Sequence, residues 1–140
     1  GAQSSIWVYE LGGASAPRRL TLDGRNQAPV WSPDGTRLAF QSQQGGRTAI
    51  YTHRADGSGR SERLFEPEPD VEYRPEAWAA TPEALVFSEK RQDRYSLAIL
   101  RTADRSIVRY PSISSGNLLN ADLSPDGTWL LYSRSENPPL

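Results

Sequence analysis

Short apolar runs alternate with polar breaks along the whole chain. "IWVYEL", "TRLAFQS", "AIYTHR", "ALVFSE" and "SLAILR" are each a handful of β-formers bounded by turn residues. Gly and Pro punctuate nearly every gap between them. No stretch of helix length carries a 3.6-residue period with caps, so the pattern predicts strands throughout. The segment 66–80, rich in Pro and Glu, is the one place that admits a short turn of helix.

The runs repeat. "WSPDGTRLAF" (Trp31 to Phe40) returns as "LSPDGTWLLY" (Leu123 to Tyr132), with Ser32 and Ser124 92 residues apart. Midway, "WAATPEALVFSE" keeps the frame: Trp78 matches Trp31 and Phe87 matches Phe40, while Ala80-Thr81-Pro82-Glu83 replaces most of the turn. A second hairpin type begins at Ser5, Ala49 and Ser96, and its Leu20, Leu64 and Val108 are spaced by 44 and 44. Two hairpin types therefore alternate, three copies of each, with a period of about 45 residues, which is the signature of a repeat architecture.

The repeated turn has a geometric explanation. In Ser32-Pro33-Asp34-Gly35 and Ser124-Pro125-Asp126-Gly127, Ser bonds the local backbone and Pro presets φ. Asp accepts a nearby N–H, and Gly supplies the positive φ that closes the hairpin. Asp34 and Asp126 are read as turn residues rather than as metal ligands or catalytic carboxylates. Four short strands per period indicate an all-β fold of β-propeller blades, each of four antiparallel strands, a to d from the axis outwards. The expected organisation is a single segment over 1–140: strands cd in 5–23, one blade in 26–66, another in 74–112, and strands ab in 118–134. Trp31, Trp78 and Leu123 then fall near the end of strand a, placed to pack between blades.

"APVWSPDGTRLAFQS", "NADLSPDGTWLLYSRS" and "SIWVYE…PRRLT" resemble the repeats of TolB-type six-bladed propellers. The resemblance covers nearly the whole chain as three units and is worn in the middle one. Similar repeats occur in TolB of the bacterial cell envelope, in the propellers of prolyl-oligopeptidase-like peptidases, and in sensor regions of bacterial receptor-type serine/threonine kinases. The wording most resembles the kinase-associated kind. The resemblance implies a non-catalytic protein- or ligand-binding module, a sensor or scaffold part of a larger bacterial protein. A peptidase's gating propeller and a TolB-like envelope interaction protein are the alternatives. It also favours an extracytoplasmic location.

Read in strands, the chain runs cd, abcd, abcd, ab, so both ends are open. The expectation is either a partial propeller or half of a six-bladed ring closed by a homodimer that shares blades. A chain that opens on Gly1 and holds no methionine reads as a processed or excised piece.

Composition narrows the chemistry. Sixteen basic and 17 acidic residues give a net charge of -1, no global attraction for nucleic acid or an acidic membrane. Glu62, Glu66, Glu68, Asp70 and Glu72 further oppose single-stranded nucleic acid. No apolar run reaches spanning length, so this segment is not expected to insert in a membrane. The absence of cysteine excludes thiolate catalysis, disulfides and cysteine-ligated metals. His53, the only histidine, cannot form a histidine-paired metal site and is expected at the surface of strand c. No Gly-x-Ser-x-Gly elbow, Walker or dinucleotide motif is present. No catalytic residue, metal or cofactor is therefore expected.

Geometry places any ligand, whether protein, peptide or small molecule, on the rim formed by the d–a and b–c loops. The candidate residues there are Asn26, Gln27, Arg47, Glu72, Tyr73, Arg74, Arg91, Arg94, Asn117 and Asn120. "EKRQDR", Glu89 to Arg94, is expected as a charged b–c loop on that rim.

Overall fold

The structure is a computed structural model, described for residues 3–80 and 83–135. Twelve strands follow in chain order among the described residues. A first pair is β1 (Trp7–Val8) and β2 (Arg18–Arg19). One complete sheet holds β3 (Asn26–Trp31), β4 (Arg37–Ser42), β5 (Ala49–Arg54) and β6 (Glu62–Arg63). A second holds β7 (Val71–Ala80), β8 (Glu83–Arg91), β9 (Arg94–Arg101) and β10 (Ile107–Ser115). The last pair is β11 (Asp122–Leu123) and β12 (Leu130–Leu131). Both complete sheets are antiparallel meanders in sequential order, β3-β4-β5-β6 and β7-β8-β9-β10. They are propeller blades, flanked by two half-blades, and the chain is a partial propeller.

The hydrophobic pattern is spent between blades. Ile6 and Leu20 of the first half-blade pack on Leu38 and Phe40. Ala39 and Ile50 then meet Val71, Tyr73, Leu85 and Phe87 of the second full blade. That blade in turn offers Ala77, Val86 and Leu97 to Leu119 and Ala121 of the last half-blade. Successive residues of an inner strand point to opposite faces, and here both faces are covered by a neighbouring blade. The inner strands accordingly read as continuous apolar runs, as in the fully buried Leu38–Phe40 and Leu85–Phe87.

Three expectations need correction. No helical turn forms in 66–80: Val71–Ala80 is a ten-residue strand, with a register shift between Pro75 and Ala77 that accommodates the proline. The only helical piece among the described residues is a 3-10 turn at Gln44–Gly46. His53 is buried, because strand β5 is sandwiched on both faces, and its Nδ1 lies 2.8 Å from the Arg54 carbonyl oxygen. Trp31 does not fill an inter-blade core; it is about half exposed, whereas Trp78 and Leu123 pack against core clusters. In the second blade the strands run from Val71 to Ser115.

The two Ser-Pro-Asp-Gly turns are built alike. Ser32 Oγ donates to Asp34 Oδ1 (2.7 Å) and accepts from Arg37 N (2.9 Å). Asp34 Oδ1 also accepts from Thr36 N and Thr36 Oγ1. Ser124, Asp126, Thr128 and Trp129 repeat the set. Gly35 and Gly127 sit at φ 71° and 72°, a conformation that glycine adopts without strain. The equivalent middle turn includes Thr81 and Pro82, which lie outside the described residues.

The Ser32 hydroxyl and the Thr36 groups hold the Asp34 carboxyl down at about 2, from an ordinary 3.8. The folded value is depressed, so the stabilisation is present above the unfolded value and is lost as pH falls through the folded one. Asp34→Asn should therefore lower the thermal midpoint at neutral pH and flatten its fall between about pH 3.8 and about pH 2. Thermal melts across that window check it. An unchanged acid limb would remove Asp34 as its source.

Candidate binding rim of the partial propeller

Hydrogen bonds sort the loops into two rims. On one, Ala55 N donates to Thr36 O and Thr102 N to Glu83 O, tying c–d loops to a–b turns. On the other, Gln43 N donates to Arg25 O, and Arg47 Nη1 reaches Pro67 O at 3.5 Å, tying b–c loops to d–a loops. Each rim carries a concavity where the a strands converge.

The larger concavity, about 620 Å³, opens on the a–b rim between Trp31, Trp78, Glu76, Leu123 and the second Ser-Pro-Asp-Gly turn. Its polar groups are already engaged. Glu76 accepts from Ser88 Oγ at 3.0 Å and from Ala121 N at 3.1 Å, which joins the second blade to the last half-blade. Burial pushes the Glu76 carboxyl above its usual range, opposed in part by these two bonds. Asp126 is consumed by its own turn. The charged residues that line it, Glu76, Asp122 and Asp126, are all acidic, and no Lys or Arg is among the lining residues.

The second concavity, about 200 Å³, opens on the d–a rim. Gln27, Glu72, Arg74, Lys90 and Tyr95 line it, together with Gln41, Ser88 and Leu118. The strand register explains the grouping. Gln27 pairs with Gln41, Glu72 with Lys90, and Arg74 with Ser88, so each pair presents one face to the mouth. Gln27 Nε2 donates to Gln41 Oε1 at 2.8 Å. Lys90 Nζ lies 3.9 Å from Glu72 and 5.6 Å from the Tyr95 ring centre, a cation–π geometry. Arg74 differs from these. Its Nε is buried and has no hydrogen-bond partner among the described residues. Glu76 Oε1 is 4.0 Å away, close enough for attraction and too far for a hydrogen bond.

The ten candidates do not form one cluster. Gln27, Glu72 and Arg74 share this mouth, and Arg47 lies in a neighbouring hollow with Glu68, Asp70 and Glu72. Asn26 and Tyr73 are buried and are structural. Asn26 Nδ2 donates to Ser4 O and Asp23 O, pinning a d–a loop. The Tyr73 hydroxyl accepts from Glu68 N at 3.1 Å, and desolvation raises its pKa. Arg91 is held by Glu68 and Glu89, and Arg94 by Ser114. Asn117 and Asn120 are exposed, outside this concavity. The expected charged loop is a tight hairpin: Glu89–Arg91 and Arg94 are strand residues, and only Gln92 and Asp93 turn between them. Lys90 was expected on this rim only as part of the charged stretch Glu89 to Arg94, and Tyr95 was not anticipated, because its place depends on cross-strand pairing that one strand's pattern does not reveal.

Sequential four-stranded meanders stacked around a channel lined by their first strands define a β-propeller. The TolB beta propeller domain family matches residues 1–138, and the chain belongs to it. Over 65 residues, 46% of this chain and 15% of the relative, it is 35% identical to the Tol-Pal system protein TolB of Coxiella burnetii. The crystal structure of TolB from Acinetobacter baumannii superposes with a TM-score of 0.76 at 18% identity, over 90% of this chain and 31% of that one. A putative TolB from Agrobacterium tumefaciens gives 0.73 at 21% identity, over 94% and 51%. These two likenesses concern the fold. The chain spans about half or less of the length of these relatives. Among the described residues, no His, Cys, Asp and Glu side chains group to hold a metal, and no helix is long and apolar enough to cross a membrane.

Proposed function

We propose that the chain is a non-catalytic binding module that takes an acidic group of a protein segment at the d–a mouth. The observation that carries this reading is that two partly exposed cationic side chains, Arg74 and Lys90, line one concavity. A carboxylate is the group that a guanidinium donor and an adjacent ammonium recognise together. Gln27 and Tyr95 add an amide and an aromatic face for the flanking chain. The module acts as a sensor or scaffold part of a larger bacterial protein, in line with the kinase-associated wording of its repeats. The Tol-Pal name of the Coxiella relative supports the alternative, an envelope interaction protein, which would use the same mouth.

A random peptide library displayed on phage and panned on the immobilised chain tests this. Selected peptides should be enriched in Asp, Glu or a free C-terminus. Arg74→Gln should weaken them about tenfold or more, the order of one charge-assisted hydrogen bond. Asp122→Asn, on the a–b rim, should leave their affinity unchanged. Selection of peptides without acidic groups, or equal affinity for both variants and the parent, would sink the reading.

A further inference from the structure

The larger concavity lies at the a–b end of the channel, and its charge is of one sign. Its walls are the inner strands β3, β7 and β11 with the second Ser-Pro-Asp-Gly turn, so it depends on no open sheet edge. Trp31 stands in this wall 52% exposed and joins none of the core clusters. A large indole face left to solvent in a hollow of about 620 Å³ is contact area not spent on folding. Trp78 beside it is committed: it packs on the core, and its Nε1 donates to Glu83 Oε1 at 3.2 Å. The acids divide in the same way. Glu76 is buried and uses one oxygen on Ser88 and the other on Ala121. Asp122 and Asp126 are exposed, and neither has an ion-pair partner among the described residues. The Leu123 and Thr128 amides and the Ser124 hydroxyl donate to them, each to Oδ1, and these donors are neutral. The charge of both carboxylates is therefore uncompensated at the mouth.

We infer that the a–b mouth docks an arginine side chain of a partner protein segment, laid on the Trp31 indole with its charge toward Asp122 and Asp126. The inference does not rest on the acidic ligand of the opposite mouth. A guanidinium is the group that fits both halves of this wall. Its plane stacks on an aromatic face, and its N–H fork donates to carboxylate oxygens. Lysine offers the charge without the plane. A carboxylate or phosphate is repelled by two unpaired acids. An uncharged apolar side chain would desolvate those acids and give them no partner.

Titration of the nitrogen-15-labelled chain with the capped peptide acetyl-Gly-Arg-Gly-Arg-Gly-amide tests this. The peptide has no carboxylate for the d–a mouth. The largest shifts should fall on the Trp31 indole N–H and on the Asp122 and Gly127 amides. The same peptide with citrulline in place of arginine keeps the planar donors and loses the charge. It should bind at least about tenfold more weakly. Trp31→Ala and Asp122→Asn should each weaken the arginine peptide about threefold to fivefold, the range of one solvent-exposed cation–π or ion-pair contact. Trp31→Phe keeps an aromatic face and should recover part of the alanine loss. Asp93→Asn removes the same charge from the hairpin tip between β8 and β9, on the opposite rim, and should change nothing. Equal affinity for the citrulline peptide would overturn the inference. So would equal affinity of Trp31→Ala, Asp122→Asn and the parent, or shifts that gather at Arg74 and Lys90. Indole shifts that follow the concentration of the chain without peptide would assign the hollow to a second copy and overturn it as well. Each of these results leaves the acidic ligand of the d–a mouth standing, since that reading is decided separately by Arg74→Gln.

Discussion

Phe87→Ala is expected to lower stability by about 3–5 kcal/mol, the usual loss for truncating a fully buried phenylalanine. Phe87 lies at the centre of the largest core, fully buried, with Phe65 and Tyr73 rings centred 5.2 Å and 6.1 Å away. Phe65 and Tyr73 themselves meet edge to face at 5.0 Å. Phe65 follows the last strand of one full blade, while Tyr73 and Phe87 belong to the next, so the aromatic group holds two blades together. A domain has only about 5–15 kcal/mol in total, so this one change consumes a large share. Phe87→Leu keeps most of the volume and should lose about 1.5 kcal/mol or less. Urea midpoints of the two variants check the claim. Equal losses, or a loss below about 1 kcal/mol for alanine, would mean that the blades are held elsewhere.

Arg109→Ala should be the second large effect, at about 2 kcal/mol. The Glu89 side chain is only 2% exposed, and Arg109 reaches over β9 to it. Arg109 Nε lies 3.1 Å and 3.2 Å from the two carboxylate oxygens, and Nη2 lies 2.9 Å from Oε1. Breaking such a pair by removing one partner ordinarily loses about 3–5 kcal/mol, because a buried charge is left alone. Two facts reduce that figure here. Arg109 is 45% exposed, so water screens it, and Arg91 Nη2 remains 3.7 Å from Glu89. Replacing both partners, Glu89→Leu with Arg109→Leu, should recover much of the loss, since no charge is then stranded. A double-mutant cycle in urea gives the coupling directly. Coupling near zero would demote the pair to a surface contact.

Local chemistry and repetition were legible in the sequence, and pairing between strands was not. The Ser-Pro-Asp-Gly turn could be read because four adjacent residues determine it. The order of hairpins could be read because Leu20 and Leu64, or Ser32 and Ser124, mark the same position in successive units. His53 misled for one reason. In an ordinary two-layer fold a polar residue in a strand marks the wet face, but a blade inside a propeller has none. His53 Nδ1 instead meets neighbouring backbone, and Asn26 donates Nδ2 to backbone while its buried Oδ1 has no hydrogen-bond partner among the described residues. The helical alternative for 66–80 failed because Pro67 and Pro69 precede the strand and Pro75 is accommodated inside it by a register shift. Lys90 reaches the candidate mouth through its register opposite Glu72, and Tyr95 through its register opposite Lys90. A matching device also escaped notice. Asp56 with Ser58 and Asp104 with Ser106 build equivalent c–d turns in the two full blades.

The functional account turns on which rim meets the ligand. The most direct measurement is amide shift mapping of the nitrogen-15-labelled chain as an acidic peptide from the panning experiment is added. The largest shifts should fall at Gln27, Glu72, Arg74, Lys90 and Tyr95. Shifts concentrated instead at Trp31, Asp126 and Gly127 would place binding on the a–b rim and contradict the account.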